Sequence, residues 1–416
     1  MWSWRRRAES GGWTRWRVVA VVVAALLAAL LALSAAAAFR LSGPVPTAIF
    51  RAATLDTTVP GAPPPIAWPA AGQAAISVPA VGWRASSGPA ATPAPIASVA
   101  KMMTAYVVLN DHPLGAADPG PAITMTQADV DEYRQGIAAN RSEVAVAAGG
   151  TLTQRQALEA LLIASANNIA RALAVWDAGS VASFVDRMNA TAEKLGMSHT
   201  KYTDPSGFDA ATVSTAADQV LLAEAAMASP AFAAVVAQPA TTLPLAGRIP
   251  NYNFQAGQDG VVGVKTGSTY AAGGCFVAAV RRSVGGVDVT AYAAVLGQRG
   301  PDLIAAGVNT GAALAKAAAA VPVRVTVVHQ GERVGDLRTA WGRATAVEAQ
   351  GDVSLLARPG DRVRVSLDTR PVRTPVAGGV VGRVTASAPS GATATTTAAA
   401  QQRVPPPSTW WRLVHG

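Results

Sequence analysis

The sequence predicts an α/β protein of the α+β type, with an antiparallel sheet flanked by helices and an α-helical subdomain. Three observations carry this prediction. Helix-periodic segments fill the region from Thr126 to Met227, glycine-punctuated alternating strands begin after Pro250, and only short strand patterns follow Val321. A small C-terminal β-domain is therefore expected after the main unit, and an apolar run near the N-terminus adds a transmembrane helix.

The N-terminal region combines basic residues with a long apolar run. Residues 18–39 contain a single polar side chain, Ser34, and are long enough to span a bilayer. Arginines precede the run, so the positive-inside bias places residues 1–17 in the cytoplasm as a tail and everything after Arg40 outside. We expect an uncleaved signal anchor. The alternative is a signal peptide cleaved at the small residues 35–38, and both interpretations export the protein.

Composition and periodicity delimit the segments that follow the apolar run. Residues 40–71 are rich in proline and predict a semi-extended stalk, and a first hairpin follows around Trp83. The main domain is expected to span residues 72–320. Its helices are expected at 126–133, 153–165, 168–178, 180–195, 214–227 and 302–320, and its main antiparallel strands at 261–266, 274–281 and 287–296.

The C-terminal part predicts a small β-domain at residues 321–385, with arginines on its exposed faces. Its strands are expected at 323–328, 344–347, 363–367 and 380–384. Residues 386–416 predict a low-complexity Ala/Thr/Pro linker with a tryptophan-containing C-terminus. The ending around Trp410 and Trp411 is too short for an amphipathic membrane helix, so we expect both indoles to pack on a domain.

Charge and cysteine content exclude several classes of function. The net charge of +9 divides into +4 for residues 1–17, +1 for 18–71, −2 for 72–320 and +6 for 321–416. The main domain therefore has no basic stripe for nucleic acid, and we predict no nucleic-acid partner. The basic C-terminal part suits an anionic cell wall or lipid surface, or simply aids solubility. The single cysteine, Cys275, excludes an internal disulfide and a cysteine zinc cluster, and its apolar neighbours predict a buried thiol.

The first candidate site is Ser98 with Lys101, at the expected start of a helix after Pro95. Residues three apart share a helix face, so the hydroxyl and the amine can touch as a nucleophile and its base. Only five of the 34 basic residues are lysines, and a lysine can lose its proton where an arginine cannot. Alone, such a pair is more often a helix cap followed by a surface lysine.

Two further candidates lie downstream. Ser165 and Asn167 occupy a gap between two expected helices, where both side chains can face one cavity. Lys265 and Thr266 are followed by Gly267 and Ser268 at a strand edge, where small residues let a substrate backbone approach closely. Alone, the first pair is typical of a helix cap and the second group of a strand end.

The order of the three motifs is more specific than any one of them. S-x-x-K is followed 67 residues later by S-x-N, and K-T-G begins 100 residues after that. The region 72–320 resembles the low-molecular-mass penicillin-binding proteins, a family of serine-type D-alanyl-D-alanine carboxypeptidases, in an actinobacterial-like form. Further shared segments are Met188-Asn189-Ala190, Leu195-Gly196-Met197, Thr203 to Gly207, Ser214 to Asp218 and Gly260 to Gly267.

The resemblance implies a serine β-lactamase/transpeptidase-like fold and a role for each site residue. Ser98 would attack the D-Ala-D-Ala peptide bond of a peptidoglycan stem peptide, with Lys101 as a neutral base whose pKa is lowered by burial and by a second cation, Lys265. Ser165 would relay a proton to the leaving D-alanine, and Asn167 would hold the substrate amide.

The same resemblance assigns the strand residues and the inhibitors. Lys265 and Thr266, with Gly267 beside them, would bind the terminal carboxylate. Backbone N–H groups of Ser98 and Ser268 would form the oxyanion hole. β-Lactams would acylate Ser98, and neither a cofactor nor a metal is expected.

Two other functions stay open. A class A-like β-lactamase shares the triple motif, but Glu193 and Glu224, the two glutamates between Ser165 and Lys265, do not lie in the E-x-x-L-N pattern of those enzymes. A non-catalytic wall-binding protein could keep the fold. The four histidines are scattered, and no G-x-S-x-G elbow is present. The chain also departs from the family, whose usual attachment is a C-terminal amphipathic helix.

Overall fold

A computed structural model describes residues 12–416 of the chain. Helix α1 covers Gly12–Ser42 and includes the whole expected apolar segment, 18–39. Within its stretch Arg15–Ser42, an apolar window of 18 residues has a mean hydropathy of 2.9, and none of that window is buried in the molecule. Among the described residues, it is the one continuous helix long and apolar enough to cross a membrane. Residues 1–11, which form most of the predicted cytoplasmic tail, lie outside the described part.

The main domain contains eleven strands and eight helices among residues 73–319. The strands are β3 Gln73–Val78, β4 Trp83–Ser87, β5 Ala94–Pro95, β6 Ala122–Thr124, β7 Thr151–Thr153, β8 Val213–Ser214, β9 Ala240–Leu243, β10 Gly247–Pro250, β11 Val261–Thr269, β12 Gly273–Val284 and β13 Val287–Gln298. The helices are α2 Lys101–Asp111, α3 Gln127–Ala138, α4 Gln154–Leu162, α5 Asn167–Ala178, α6 Val181–Lys194, α7 Ala216–Met227, α8 Pro230–Val236 and α9 Leu303–Ala319. Strands β1 Ile49–Ala52 and β2 Thr57–Thr58 precede them.

A five-stranded antiparallel sheet, in the order β11-β12-β13-β3-β4, divides the main domain into two layers. Side chains alternate across a strand, so β12 serves both layers. Phe276 and Ala278 pack towards α9 in one core, whereas Cys275 and Val277 belong to the core shared with α2 and with helices α4 to α8. The expected α+β class and the antiparallel sheet are confirmed, and the buried thiol of Cys275 is found as expected.

Polar caps explain where several helices begin. Thr126 accepts a hydrogen bond from the Asp129 backbone while the Asp129 side chain binds the Thr126 backbone, and Thr153 and Gln156 form the same reciprocal box at α4. Ser229 caps α8, whose first residue is Pro230. The starts of α3 and α4 thus lie within a few residues of the expected positions, whereas α8 was not among the expected helices.

The C-terminal β-domain is a seven-stranded sheet with a two-stranded sheet beside it. Its elements are β14 Val323–Val328, β15 Arg333–Arg338, β16 Ala344–Ala349, β17 Val353–Ala357, β18 Arg362–Thr369, β19 Val380–Ser387, β20 Thr393–Ala400 and helix α10 Thr409–His415. The larger sheet has the order β1-β15-β16-β20-β19-β18-β2, and β14 pairs with β17. A separate apolar core, which includes Val347, Val363 and Val384, stabilises this domain.

The expected stalk at residues 40–71 differs from the structure. Residues 49–52 pair with β15 and residues 57–58 pair with β18, so this segment supplies both edge strands of the β-domain sheet. Neither strand contains a proline, and the prolines of this segment lie in the chain on either side of them. Proline content therefore indicated extended backbone correctly but did not indicate its pairing partners.

The expected linker at residues 386–416 is also corrected. Residues 393–400 form β20, in the middle of the sheet between β16 and β19, and Ala398 to Ala400 are almost completely buried. Threonine is a good strand residue, and small alanines allow the neighbouring layer to pack closely. The limits of the main domain at residues 72 and 320 stay a prediction.

The two C-terminal tryptophans behave differently. Trp411 packs edge-on against Trp341 of the β-domain, with ring centroids 6.0 Å apart, whereas Trp410 is 75% exposed. The guanidinium of Arg40 donates to the Leu413 carbonyl at 2.6 Å, so α10 lies against the end of α1. Packing on a domain is thus found for one of the two indoles.

Candidate active site

Ser98 lies in a tight 3-10 turn, Ala97–Ala100, that runs directly into α2. The expected single helix beginning near Ser98 is therefore a 3-10 turn followed by an α-helix. Ala97 has a φ of +48°, a left-handed conformation that costs a non-glycine residue on the order of 1 kcal/mol. The residue before Ser98 is thus held in a strained conformation by its surroundings.

Lys101 is the first residue of α2 and is completely buried. Its Nζ atom lies 2.8 Å from Ser98 Oγ, 2.6 Å from Asn167 Oδ1 and 2.9 Å from the Ser206 carbonyl oxygen. An ammonium group has three protons to donate, and a neutral amine has two protons and one lone pair. With two acceptors that cannot donate, a neutral Lys101 points its lone pair at the Ser98 hydroxyl.

Burial, and not the neighbouring charges, favours that neutral amine. Burial lowers the pKa of Lys101 to about 7, against the opposing charges of Asp204 and Glu143. The sequence suggested that Lys265 would contribute to this depression. Instead, burial is the main cause of the lowered pKa of Lys101. Burial also lowers the pKa of Lys265, and the charge of the nearby Lys101 lowers it further.

Ser165 lies in the short connection between α4 and α5, as the sequence predicts, whereas Asn167 lies at the start of α5. Ser165 has a left-handed φ of +58°, and Asn167 is the first residue of α5. Both are at least nine-tenths buried. The strained turn directs the Ser165 hydroxyl to Lys265 Nζ, at 3.0 Å, while the Asn167 amide oxygen accepts from Lys101.

The K-T-G segment lies on β11, at the edge of the five-stranded sheet. Lys265 is buried and donates to the Thr266 carbonyl at 2.9 Å as well as to Ser165. A Cβ atom on Gly267 would lie 2.9 Å from the backbone nitrogen of Ser98, closer than side chains normally approach. A glycine at this position therefore allows the strand to lie against the Ser98 turn. Ser268 follows on the same strand, half-buried and paired with Gly274.

The sequence did not single out the loop 204–208 as a supplier of site atoms. Asp204 accepts hydrogen bonds from the Ser206 backbone at 3.1 Å and the Ser206 hydroxyl at 2.6 Å, which fixes the Ser206 carbonyl towards Lys101. Gly207 has a φ of +74°, and a Cβ atom there would lie within 2 Å of the Ala97 carbonyl oxygen. The D-P-S-G sequence was a signal for this loop. Its contact with Lys101 forms only in the folded chain, between residues far apart in sequence.

A cavity of about 270 Å³ opens beside Asn167 and is lined in part by Arg171, Phe208 and Asp209. A larger one of about 490 Å³ lies between α2 and α6 and contains none of the predicted site residues. Among residues 12–416, no group of three or more His, Cys, Asp or Glu side chains could hold a metal ion. The arrangement can therefore activate a serine hydroxyl with a neutral amine, next to an open space for a substrate.

Comparison with known proteins gives one family. Residues 86–299 match the model of the D-alanyl-D-alanine carboxypeptidase family, peptidase family S11. D-alanyl-D-alanine carboxypeptidase DacB2 of Mycobacterium tuberculosis is 35% identical over 198 residues, which are 45% of this chain and 62% of that protein. A D-alanyl-D-alanine endopeptidase of Pseudomonas aeruginosa is 35% identical over 161 residues, 38% of this chain and 48% of that protein. The chain thus spans less than two thirds of the length of these relatives.

Solved structures show the same similarity. The Streptomyces K15 DD-transpeptidase is 29% identical, with a TM-score of 0.54, and the match covers 63% of this chain and 100% of that chain. A peptidoglycan synthesis regulatory factor, PBP3, from Streptococcus pneumoniae shares the fold at 22% identity, with a TM-score of 0.58 and coverage of 80% and 99%. The second match extends beyond the length of the main domain.

Proposed function

Because the chain belongs to the D-alanyl-D-alanine carboxypeptidase family, we propose that it removes the terminal D-alanine from peptidoglycan stem peptides and is acylated by penicillins. The observation that carries this proposal is the contact between the buried Lys101 amine and Ser98 Oγ, at 2.8 Å. A base with a pKa near 7 is poised to accept the serine proton at neutral pH.

The proposed reaction has two halves. Lys101 takes the proton of the Ser98 hydroxyl while Oγ attacks the carbonyl carbon of the penultimate D-alanine. As the C–N bond breaks, Lys101 gives up that proton, which passes through Ser165 to the leaving D-alanine nitrogen, so Lys101 is neutral again. In the second half, water attacks the ester carbonyl while Lys101 takes a water proton, and Lys101 then gives this proton to Ser98 Oγ as the ester C–O bond breaks and the shortened peptide is released.

The remaining residues bind and orient the substrate in this proposal. Asn167 holds the substrate amide, and Lys265 with Thr266 and Gly267 receives the terminal carboxylate at the strand edge. The backbone N–H groups of Ser98 and Ser268 stabilise the oxyanion. Removal of one such donor in a serine enzyme costs about 2.7–4 kcal/mol of barrier. The cavity beside Asn167 leaves room for the rest of the stem peptide.

Release of D-alanine from a peptide ending in D-Ala-D-Ala tests this function. We expect release by the unmodified chain and none above background by Ser98→Ala. Ser86→Ala, which alters an exposed serine on β4, is the matched control and should keep wild-type release. Equal D-alanine release and penicillin labelling by Ser98→Ala and the wild type would refute the enzymatic function and favour the wall-binding alternative.

The β-lactamase alternative makes a different prediction about deacylation. Glu224 pairs with Arg84 at 2.6 Å and Glu193 is exposed, so neither glutamate takes part in the contacts around Ser98. We therefore expect nitrocefin to acylate the protein once and to be released slowly. Sustained nitrocefin turnover at rates typical of enzymes would favour the β-lactamase instead.

For localisation, we infer that α1 is an uncleaved anchor and that the catalytic domain lies outside the cell membrane. Support comes from the exposed apolar helix and from its arginine-rich start. The mass of the membrane-extracted protein tests this inference, because an uncleaved chain keeps residues 1–38. A soluble product that starts near Phe39 would show that the segment is a cleaved signal peptide.

A further inference from the structure

One buried carboxylate close to the site has no role in the reaction described above. The Glu143 side chain is fully buried, and its Oε2 atom accepts a hydrogen bond of 2.7 Å from the backbone N–H of Asn168. Its Oε1 atom lies 3.3 Å from Arg141 Nε, a contact of opposite charges without the alignment of a hydrogen bond. Glu143 therefore links a cation to the first turn of α5.

The chain around Glu143 is bonded to the S-x-N turn at several points. The Asn167 N–H donates to the Ser142 carbonyl at 2.8 Å, and the Asn168 side chain exchanges two hydrogen bonds with the Val144 backbone at 3.1 and 2.8 Å. With the Glu143 contact, four hydrogen bonds hold residues 142–144 against Asn167 and Asn168. Displacement of this segment would displace the amide oxygen that contacts Lys101.

Helix α3 leaves a space for this carboxylate. A Cβ atom on Gly136, in the last turn of the helix, would lie within 2 Å of Glu143 Oε1. The missing side chain allows the carboxylate to fit between α3 and α5.

The charges around Glu143 and Lys101 are few and can be named. Arg141 faces Glu143 from its own segment, Glu132 of α3 pairs with Arg141 at 2.8 Å, and Lys101 faces it from α2. Asp204 and Lys265 are the other charged neighbours of Lys101. Burial raises the pKa of Glu143 to about 7, in spite of Arg141 and Lys101, so Glu143 and Lys101 titrate in the same pH range.

We propose that Glu143 is a positioning residue for acylation, which fixes the turn that carries Asn167 and supplies a titratable charge near Lys101. This inference rests on the proposed function, because it concerns the base of that reaction.

The expected consequence is a coupled titration. As the pH rises through neutrality, Glu143 loses its proton, and the new negative charge opposes proton loss from Lys101. The neutral form of Lys101 then accumulates over a wider pH range than a single titrating group gives. For a single group, the neutral fraction rises from 10% to 90% over about two pH units. The wild-type acylation rate should therefore rise more gradually with pH than a single-proton curve.

The test is the acylation rate of the full chain in detergent by benzylpenicillin, measured from pH 5 to pH 9. Glu143→Gln keeps an oxygen that can accept from Asn168 but removes the charge. We expect the rise of the acylation rate of this variant to move to lower pH and to narrow to a single-proton curve. Glu143→Asp keeps the charge with a shorter reach, so we expect the broad wild-type profile with a lower plateau rate.

Glu132→Gln is the matched control because it removes the other carboxylate on Arg141 and leaves Glu143 in place. The rise of the acylation rate of Glu132→Gln should not move to lower pH. A single-proton curve for the wild type, or the same midpoint and width in Glu143→Gln as in the wild type, would overturn the inference. A wild-type chain that is not acylated at any pH would instead refute the proposed function, and this inference with it.

Discussion

Acylation in this account depends on one proton, the one that Lys101 must lose before it can accept the proton of Ser98. The neutral fraction of the amine falls as the pH drops below about 7, the value to which burial lowers its pKa, so the rate should fall on the acid side. Every contact of the Nζ atom is internal, and no solvent is needed to stabilise its neutral form.

Lys101→Arg tests this dependence at a single residue. An arginine cannot be deprotonated at accessible pH, so we expect acylation by a fluorescent penicillin to fall by about 10²–10⁴-fold, the usual contribution of a general base. Lys194→Arg, on the exposed end of α6, is the control and should leave the rate unchanged. An arginine variant that keeps the wild-type rate and pH profile would exclude Lys101 as the base.

Gly267→Ala tests the close approach of β11 to the Ser98 turn. The added Cβ would lie 2.9 Å from the Ser98 nitrogen and 3.0 Å from the Ile96 oxygen, both backbone atoms that cannot rotate away. A displacement of about 1 Å can cost about 10²-fold in rate, so we expect a loss of that order in acylation. Gly300→Ala, whose added Cβ would lie no closer than 3.4 Å to the Ala306 side chain and 3.8 Å to the Asp302 oxygen, should acylate normally.

At the residue level, the sequence predicted which side chains would meet but not what holds them. Each of the three motifs carries reactive residues on its own element, and the elements bring these residues together. The residues are Ser98, Lys101, Ser165, Asn167 and Lys265. The Ser206 carbonyl and the Glu143 carboxylate were missed, because a backbone oxygen has no sequence signature and Glu143 acts through a turn 25 residues away.

At the level of elements, β12 organises the main domain by packing on both of its faces. Phe276 is fully buried and lies against Gly311 of α9. We expect Phe276→Ala to reduce the free energy of unfolding by about 3–5 kcal/mol, measured by urea titration with penicillin labelling as the readout of the native domain. Phe254→Ala, at a 48% exposed site, should change it by less than about 0.5 kcal/mol. Equal effects of the two variants would contradict this packing.

Strands were predictable where glycines and alternating residues mark them, as at β11, β12 and β13. β20 was missed because its Ala/Thr composition is also typical of a linker, and β1 and β2 were missed because proline dominates their neighbourhood. Strands β1 and β2 pair with residues about 280 to 310 positions further along the chain, and no local sequence pattern indicates such distant partners.

At the level of the whole molecule, the β-domain is completed by the chain that follows α1. Residues 49–52 and 57–58 cover the two edges of its larger sheet. A chain that starts at residue 72 would expose both edges, and exposed edge strands promote aggregation. We expect this form to aggregate in size-exclusion chromatography, whereas a chain that starts at residue 43 stays monodisperse. Identical behaviour of the two forms would show that the edge strands are dispensable.

The central claim, that Ser98 is a nucleophile activated by a buried neutral lysine, is tested most directly by mass spectrometry of the protein after exposure to benzylpenicillin. We predict one penicilloyl group per chain, on the peptide that contains Ser98, and no adduct in Ser98→Ala. An unmodified chain, or an adduct on another residue, would contradict the account.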